Sequence, residues 1–276
     1  MNWHWRAIRA MIRKDLQQVR QNRMVWLPMI LVPALLNVLM PLVLVLLPSL
    51  ATSSTQSVST SDLEGLLQIL PAEVKRMLAG FTAQELWIYV SANYMFAPMF
   101  LIVPMMVSSI LAADSVVGER ERKTLEGLLY TPMKDSEIFV AKVLYSFLPA
   151  FLVSVASFAA YAVVVNLAGY RVMQRIFFPT AGWWPLVFWL GPAVSAIGLG
   201  VSVLISSKAK TFMQAQQTSG LLVLPIVFLM IGQTTGLFFL SVWLTIVVGL
   251  FAWAIGLWLV WVGARTFARG ELAARV

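Results

Sequence analysis

Cysteine is absent from the 276-residue chain, and histidine occurs once, as His4. The first absence excludes disulfides, thiolate metal sites and cysteine catalysis. The second excludes a multi-histidine metal site within one chain. Charge is scarce: only 12% of residues are Asp, Glu, Lys or Arg, against about 25% in soluble domains. With 60% hydrophobic residues and a mean hydropathy of +0.83, the chain lacks the polar surface of a soluble protein. It reads as an all-α polytopic membrane protein. Catalytic signatures are missing too: there is no His-Glu-x-x-His, no Gly-x-Ser-x-Gly and no pair of carboxylates inside an apolar run. No enzyme activity is expected of this chain.

Long runs free of Asp, Glu, Lys and Arg are what the chain has instead. They cover roughly 24–50, 86–113, 143–168, 180–206, 211–236 and 237–264. About 20 apolar residues cross a hydrocarbon core, so we read six transmembrane helices. The last two runs are continuous from Thr211 to Ala264, and Gly232-Gln233-Thr234-Thr235-Gly236 is the turn-like break between them. Pro28, Pro33, Pro41 and Pro48 crowd the first run and predict a kinked helix packed within a bundle. Its length exceeds the ~7–15 residues of a signal-peptide core.

The formal charge is +8, which in a soluble protein would point to nucleic acid. Its distribution explains it otherwise. Sixteen basic residues lie in 1–23, 114–142, 207–210 and the C-terminus, and only Lys75, Arg76, Arg171 and Arg175 lie on the other side. The positive-inside rule then places both termini in the cytoplasm of a multi-pass cell-membrane protein. No nucleic acid is needed as a partner; the lipid bilayer is.

The chain forms a single transmembrane unit, 1–276, with three segments outside the bilayer. Residues 1–23 predict an amphipathic helix on the cytoplasmic surface, with Trp5, Ile8, Ile12, Leu16 and Val19 on its apolar side. Residues 51–85 form an extracytoplasmic loop with capping boxes at Ser61-x-x-Glu64 and Thr82-x-x-Glu85. Residues 114–142 carry five basic and six acidic residues. Within 114–136, Leu125, Leu128 and Leu129 make one apolar face of a short helix, which Pro132 ends. Ser136 and Glu137 are the expected cap and first-turn acid of the third span. Gly118-Glu-Arg-Glu-Arg-Lys123-Thr124 resembles a P-loop superficially. It lacks the glycine before the lysine, follows no strand, and carries Glu119 and Glu121, which would repel phosphate.

Within the spans, Asn37 and Asn93 could face a pathway or bond another helix. Gly191, Ser195, Gly198 and Ser202 fall at i, i+4, i+7 and i+11 of the fourth span. This small face predicts close packing, within the subunit or between subunits. Gly198→Leu is expected to disrupt it, and Gly198→Ala to be milder.

The block Gly118-Glu-Arg-Glu-Arg-Lys-Thr-Leu-Glu-Gly-Leu-Leu-Tyr-Thr-Pro, followed by Glu137-Ile138 and Lys142, resembles the cytoplasmic segment of type-2 ATP-binding-cassette (ABC) exporter permeases. The pattern there is roughly Glu-x-Glu-x-x-Thr-Leu-Glu-x-Leu-Leu-x-Thr-Pro, then Glu-Ile and a Lys. The resemblance implies a transport subunit that dimerises with a second copy or a homologue and binds two separate ABC ATPase subunits. It implies that Glu119, Glu121, Thr124, Leu125, Glu126, Leu128, Leu129, Thr131 and Pro132 form the ATPase-docking, or coupling, segment. Lys208 and Lys210 are expected to give a second cytoplasmic contact. ATP and Mg would belong to the partner, and no cofactor or metal to this chain. A pathway without intramembrane charge suits an amphipathic or hydrophobic cargo, such as a drug, peptide or lipid. Two alternatives stay open: an ion- or proton-coupled secondary transporter, and a non-transporting membrane immunity or anchor protein.

Overall fold

A computed structural model of the chain describes residues 4–50, 72–124, 131, 133–234 and 241–266. Among these residues the secondary structure is helical, without strands. A first helix, α1, spans Trp5–Gln21, and a short helix, α3, spans Ala72–Met77. Six helices have the length and apolarity to cross a membrane: α2 (Arg23–Leu46), α4 (Ala83–Glu121), α5 (Asp135–Met173), α6 (Trp183–Ser206), α7 (Phe212–Gln233) and α8 (Val242–Arg265). The inner two are α4 and α6, with 78% and 67% of their apolar windows buried. α6 packs most extensively on α8 and α4, and α4 also packs on α5.

The six expected spans are present, but two outrun their apolar segments. α4 continues through 114–121 and α5 begins at Asp135, so both helices take in residues that charge alone excluded. Burial and mutual pairing make this possible, as described below. The start of α5 also differs from expectation. Lys134, not Ser136, holds the N-cap position. Glu137 turns back, and its Oε2 accepts the Lys134 backbone N–H at 3.0 Å. At Thr82 the expected capping box is complete: the Thr82 backbone N–H donates to Glu85 and the Glu85 N–H to Thr82 Oγ1. The Ser61 box lies outside the described residues.

α1 is turned relative to the expected stripe. It lodges against α5, burying Ile8, Met11, Asp15 and Val19, while Trp5 and Leu16 are exposed. Ile8 and Met11 join a cluster with Ala112, Val116, Ile138 and Ala141. A helix laid on protein selects its buried face by the shape and charge of the receiving groove, not by apolarity alone. In α2 the prolines are accommodated by a π-turn over Leu35–Leu39, between Pro33 and Pro41. π-turns also interrupt α4 at Ser91–Met95 and Asp114–Gly118, and α6 at Leu186–Leu190. Each inserts one residue into the ladder and frees a carbonyl for other partners.

The small face of α6 meets α4 within the chain. A Cβ at Gly198 would lie 2.8 Å from the Met105 carbonyl oxygen and 2.8 Å from the hydroxyls of Ser108 and Ser109. Even alanine overlaps backbone there, so Gly198→Ala carries a steric cost of its own, below that of Gly198→Leu. Gly191 has more room, its nearest contact being 3.4 Å. Ser195 Oγ donates to the Gly191 carbonyl, and Ser202 Oγ donates to Ser219 Oγ of α7. Of the expected break at 232–236, Gly232, Gln233 and Thr234 continue the helix, and 235 and 236 lie outside the described residues.

Candidate functional site

Charged residues gather where α1, the end of α4 and the start of α5 meet. Asp15, Asp114, Glu119 and Lys142 are each at most 4% exposed. Lys142 of α5 donates to Glu119 Oε2 at 2.5 Å and also to the Ser115 carbonyl oxygen. Lys14 of α1 donates to the other oxygen, Oε1, at 3.1 Å. Glu119 therefore ties α1, α4 and α5 together. Lys14 also forms an ion pair with Asp15 at 2.9 Å. One turn away, Arg122 donates to Asp114 Oδ1 at 2.9 Å, and Tyr145 Oη donates to Asp114 Oδ2 at 3.4 Å. With its oxygen facing the guanidinium, the Gln18 amide accepts from Arg122 Nε at 2.6 Å. A Cβ at Gly118 would fall 2.6 Å from Asp114 Oδ1, so glycine is what lets this pair form. Three carboxylates face three cations, as a buried cluster requires.

The electrostatics of α1 follow from that packing. Burial works against the Lys14 ammonium, but the charges of Glu119 and Asp15 outweigh it and hold its pKa above the ordinary lysine value. Burial pushes the Asp15 carboxyl above the usual aspartate range. Lys142 opposes this, and Glu119 adds to it.

The residues expected to dock an ATPase divide. Glu119 has its carboxylate engaged inside the chain, whereas Glu121 is exposed at the end of α4. Thr124 turns the chain after α4: its N–H and hydroxyl reach the Glu119 carbonyl at 3.0 and 3.2 Å. Thr131 is half-buried. Leu125, Glu126, Leu128, Leu129 and Pro132 lie outside the described residues. Lys208 and Lys210 are exposed at the same end of the bundle. Arg120 fastens their loop to α4, donating to the Ala209 and Ser206 carbonyls at 3.1 and 3.4 Å. Glu137, beyond the turn, accepts from the His4 backbone N–H at 3.0 Å. It pins the start of α1 to the start of α5.

A family model described as ABC-2 family transporter protein matches residues 9–268. The chain belongs to the ABC-2 transporter family. The comparison with curated proteins gives no match. Permeases of the ABC-2 family are membrane transport components without catalysis of their own. They generally work as dimers with ABC ATPase subunits. In this ABC-2 protein the motif residues Glu119, Glu137 and Lys142 serve helix joints rather than an open surface, while Thr124 is exposed and caps the end of α4. Sequence reasoning missed Lys14, Asp15, Asp114 and Arg122. One signal was available: Asp15 falls four residues from both Met11 and Val19, on the face that packs. An acid there calls for a buried cation.

Asn37 and Asn93 are far apart in role. Asn37 is buried on the α2 π-turn, and its Nδ2 has no partner. Asn93 lies on the first α4 π-turn, at the end of the bundle opposite α1. There three successive carbonyls of α4 each accept from another helix. Tyr161 Oη donates to Ala92 at 2.7 Å, Trp183 Nε1 to Asn93 at 3.1 Å and Gln233 Nε2 to Tyr94 at 2.7 Å. Trp183 packs among Phe100, Phe158, Tyr161 and Phe178. A 270 Å³ cavity opens beside this turn.

Proposed function

We propose that the chain is the membrane-spanning permease subunit of an ATP-driven exporter in the cell membrane, with both termini cytoplasmic. Two copies, or one copy and a homologue, would enclose the pathway. Two separate ABC ATPase subunits would dock on residues 119–132, with Lys208 and Lys210 as a second contact. ATP and Mg would be held by those ATPases. The cargo class that fits a pathway lined by apolar and amide groups is amphipathic or hydrophobic: a drug, peptide or lipid. Export direction is inferred from the family pattern, and orientation from the excess of basic residues in 1–23, 114–142, 207–210 and the C-terminal segment.

One observation supports this most: the segment entering the coupling turn is bound by ion pairs to both α1 and α5 through the buried carboxylate of Glu119. Force applied to the turn by a docked ATPase would reach three helices at once instead of being lost in a loose hairpin. Low-dielectric pairs resist separation, so the joint would move as a unit.

The test is Leu128→Asp in the full chain co-expressed with its ATPase. A buried Leu anchor contributes ~1.5–3 kcal/mol, which is about 10- to 100-fold in affinity. Co-purification of the ATPase and ATP-dependent transport should both fall, while the six helices stay inserted. Full retention of both would overturn the docking assignment.

A further inference from the structure

Helix α1 presents to its surroundings a face that the ATPase-docking reading leaves unused. At 3.6 residues per turn its side chains fall into sectors. Ile8, Met11, Asp15 and Val19 are buried against the bundle. Beside them Trp5, Ile12 and Leu16, at i, i+7 and i+11, make an apolar strip. Trp5 and Leu16 are 56% and 39% exposed, and Ile12 is half-buried. Beyond that strip run Arg6, Arg9, Arg13 and Arg20, at i, i+3, i+7 and i+14, all exposed. Among the described residues none of these four has a hydrogen-bond or ion-pair partner. The one acid of α1, Asp15, sits on the buried face, and Lys14 is committed to Glu119. Like charges three and four residues apart on a helix repel, so this row gains from anions placed against it.

The two ends of α1 place that row at the membrane surface. At its start, the His4 backbone N–H donates to Glu137 in the first turn of α5 at 3.0 Å. At its end, Gln21 is separated only by Asn22 from Arg23, where the first spanning helix begins. Asn22 is extended, so α1 does not run on into α2. One residue advances the chain by ~3.5 Å, too little to carry α1 out of the headgroup layer. The helix therefore lies across the mouths of two spans that enter from the same side. There an apolar strip with Trp5 on it meets the acyl boundary, and the neighbouring arginines reach headgroup level. A guanidinium fork matches the two free oxygens of a phosphate. Zwitterionic headgroups carry no net charge, so four or more unpaired cations on an interfacial helix select acidic lipids. An acidic protein surface would meet the charge but would leave the apolar strip without a matching layer.

We propose that the outward face of α1 binds the headgroup phosphates of acidic phospholipids, with Arg6, Arg9, Arg13 and Arg20 as the phosphate ligands and Trp5 and Leu16 seated beside the acyl chains. The surface is complete within one chain and needs neither a second subunit nor an ATPase. Its assignment to the cytoplasmic leaflet rests on the topology proposed above; the lipid selectivity does not.

The experiment immobilises the purified full chain in detergent, without ATPase, and equilibrates it with mixed micelles. These carry radiolabelled phosphatidylglycerol or phosphatidylcholine with the same acyl chains at equal mole fraction. At least fivefold more phosphatidylglycerol should be retained. The preference should collapse as salt rises from about 0.1 to about 1 M, which shortens the screening length from ~10 to ~3 Å. The triple variant Arg6→Gln, Arg9→Gln, Arg13→Gln should lose the preference at low salt. Its elution volume should stay as in the wild type, because these side chains hold no partner in the fold. A second triple variant, Lys75→Gln, Arg76→Gln, Arg171→Gln, removes the same charge from exposed positions elsewhere and should keep the preference. Should the arginine variant misfold, the salt series on the wild type still decides. Equal retention of the two lipids, a preference indifferent to salt, or equal loss in both triple variants would overturn the proposal. So would an arginine variant that keeps the lipid preference but no longer co-purifies the ATPase, which would give this face to the ATPase. Loss of ATPase docking in Leu128→Asp would leave it untouched.

Discussion

Glu119 and Asp15 are equally hidden from solvent but are held very differently. Glu119 accepts from two ammonium groups, so removing its charge takes from the buried Lys142 its paired carboxylate. Breaking a buried pair from one side costs ~3–5 kcal/mol. Glu119→Gln should therefore lower the thermal unfolding midpoint sharply in detergent at pH 7.5, and an unchanged midpoint would refute the pairing. Asp15 has a raised pKa in the folded chain. For an acid that sign means its contribution to stability is greatest below its ordinary value of 3.8 and is lost as pH rises through the folded value. At neutral pH the ionised form is a burden, and Asp15→Asn should leave the midpoint unchanged or higher. Lys14 shows the complementary case. Its raised pKa makes its stabilisation fully present below 10.5 and lost as pH climbs through the folded value. The stability gap between wild type and Lys14→Gln should be constant from neutral pH up to that value and narrow above it, as read by unfolding midpoints across a pH series.

Among the elements, the α4–α6 contact is set by atoms that glycine does not have. At Gly198 the neighbour at 2.8 Å includes the Met105 backbone carbonyl, which cannot rotate aside as a side chain can. Overpacking of this kind costs ~1–3 kcal/mol. Gly198→Ala should therefore reduce folded yield and unfolding midpoint measurably, whereas Gly191→Ala, with 3.4 Å to its nearest contact, should come within experimental error of wild type. The π-turn of α4 at 91–95 illustrates the same logic from the polar side. Its carbonyls are claimed by Tyr161, Trp183 and Gln233, so one irregular turn aligns α5, α6 and α7. A regular helix would have kept those acceptors for itself.

For the whole molecule, the outstanding expectation is orientation. The basic residues of 1–23, 114–142, 207–210 and the C-terminal segment outnumber the remaining ones sixteen to four, which predicts that α1 and the 207–210 loop face the cytoplasm. The chain has no cysteine, so single introduced thiols report cleanly. In intact cells an impermeant thiol reagent should label Ser57→Cys and leave Ser207→Cys silent until the membrane is opened. The reverse pattern would invert the molecule, and with it the side of the membrane on which the ATPase docks.

Composition and run length determined the class and the number of spans, because crossing lipid requires about 20 apolar residues in a row and that demand is local. The motif around 118–132 and the basic asymmetry were legible for the same reason: each is a property of neighbouring residues. The span ends were legible only in part. Residues 114–121 carry charge that places them outside an apolar span, and the start of the third span was legible at Ser136 and Glu137, but the burial of Asp114, Glu119, Glu137 and Lys142 was not. Their helical continuation depends on partners 23 and 105 residues away for Glu119 alone. The buried face of α1 was likewise misjudged at Met11 and Asp15, since the groove that receives it is made by α4 and α5. Only the tertiary structure could divide the apolar residues of α1, seating Ile8 and Val19 against protein and leaving Trp5 and Leu16 exposed beside its arginines. Sequence marks which side chains avoid water. Packing decides which of them meet protein.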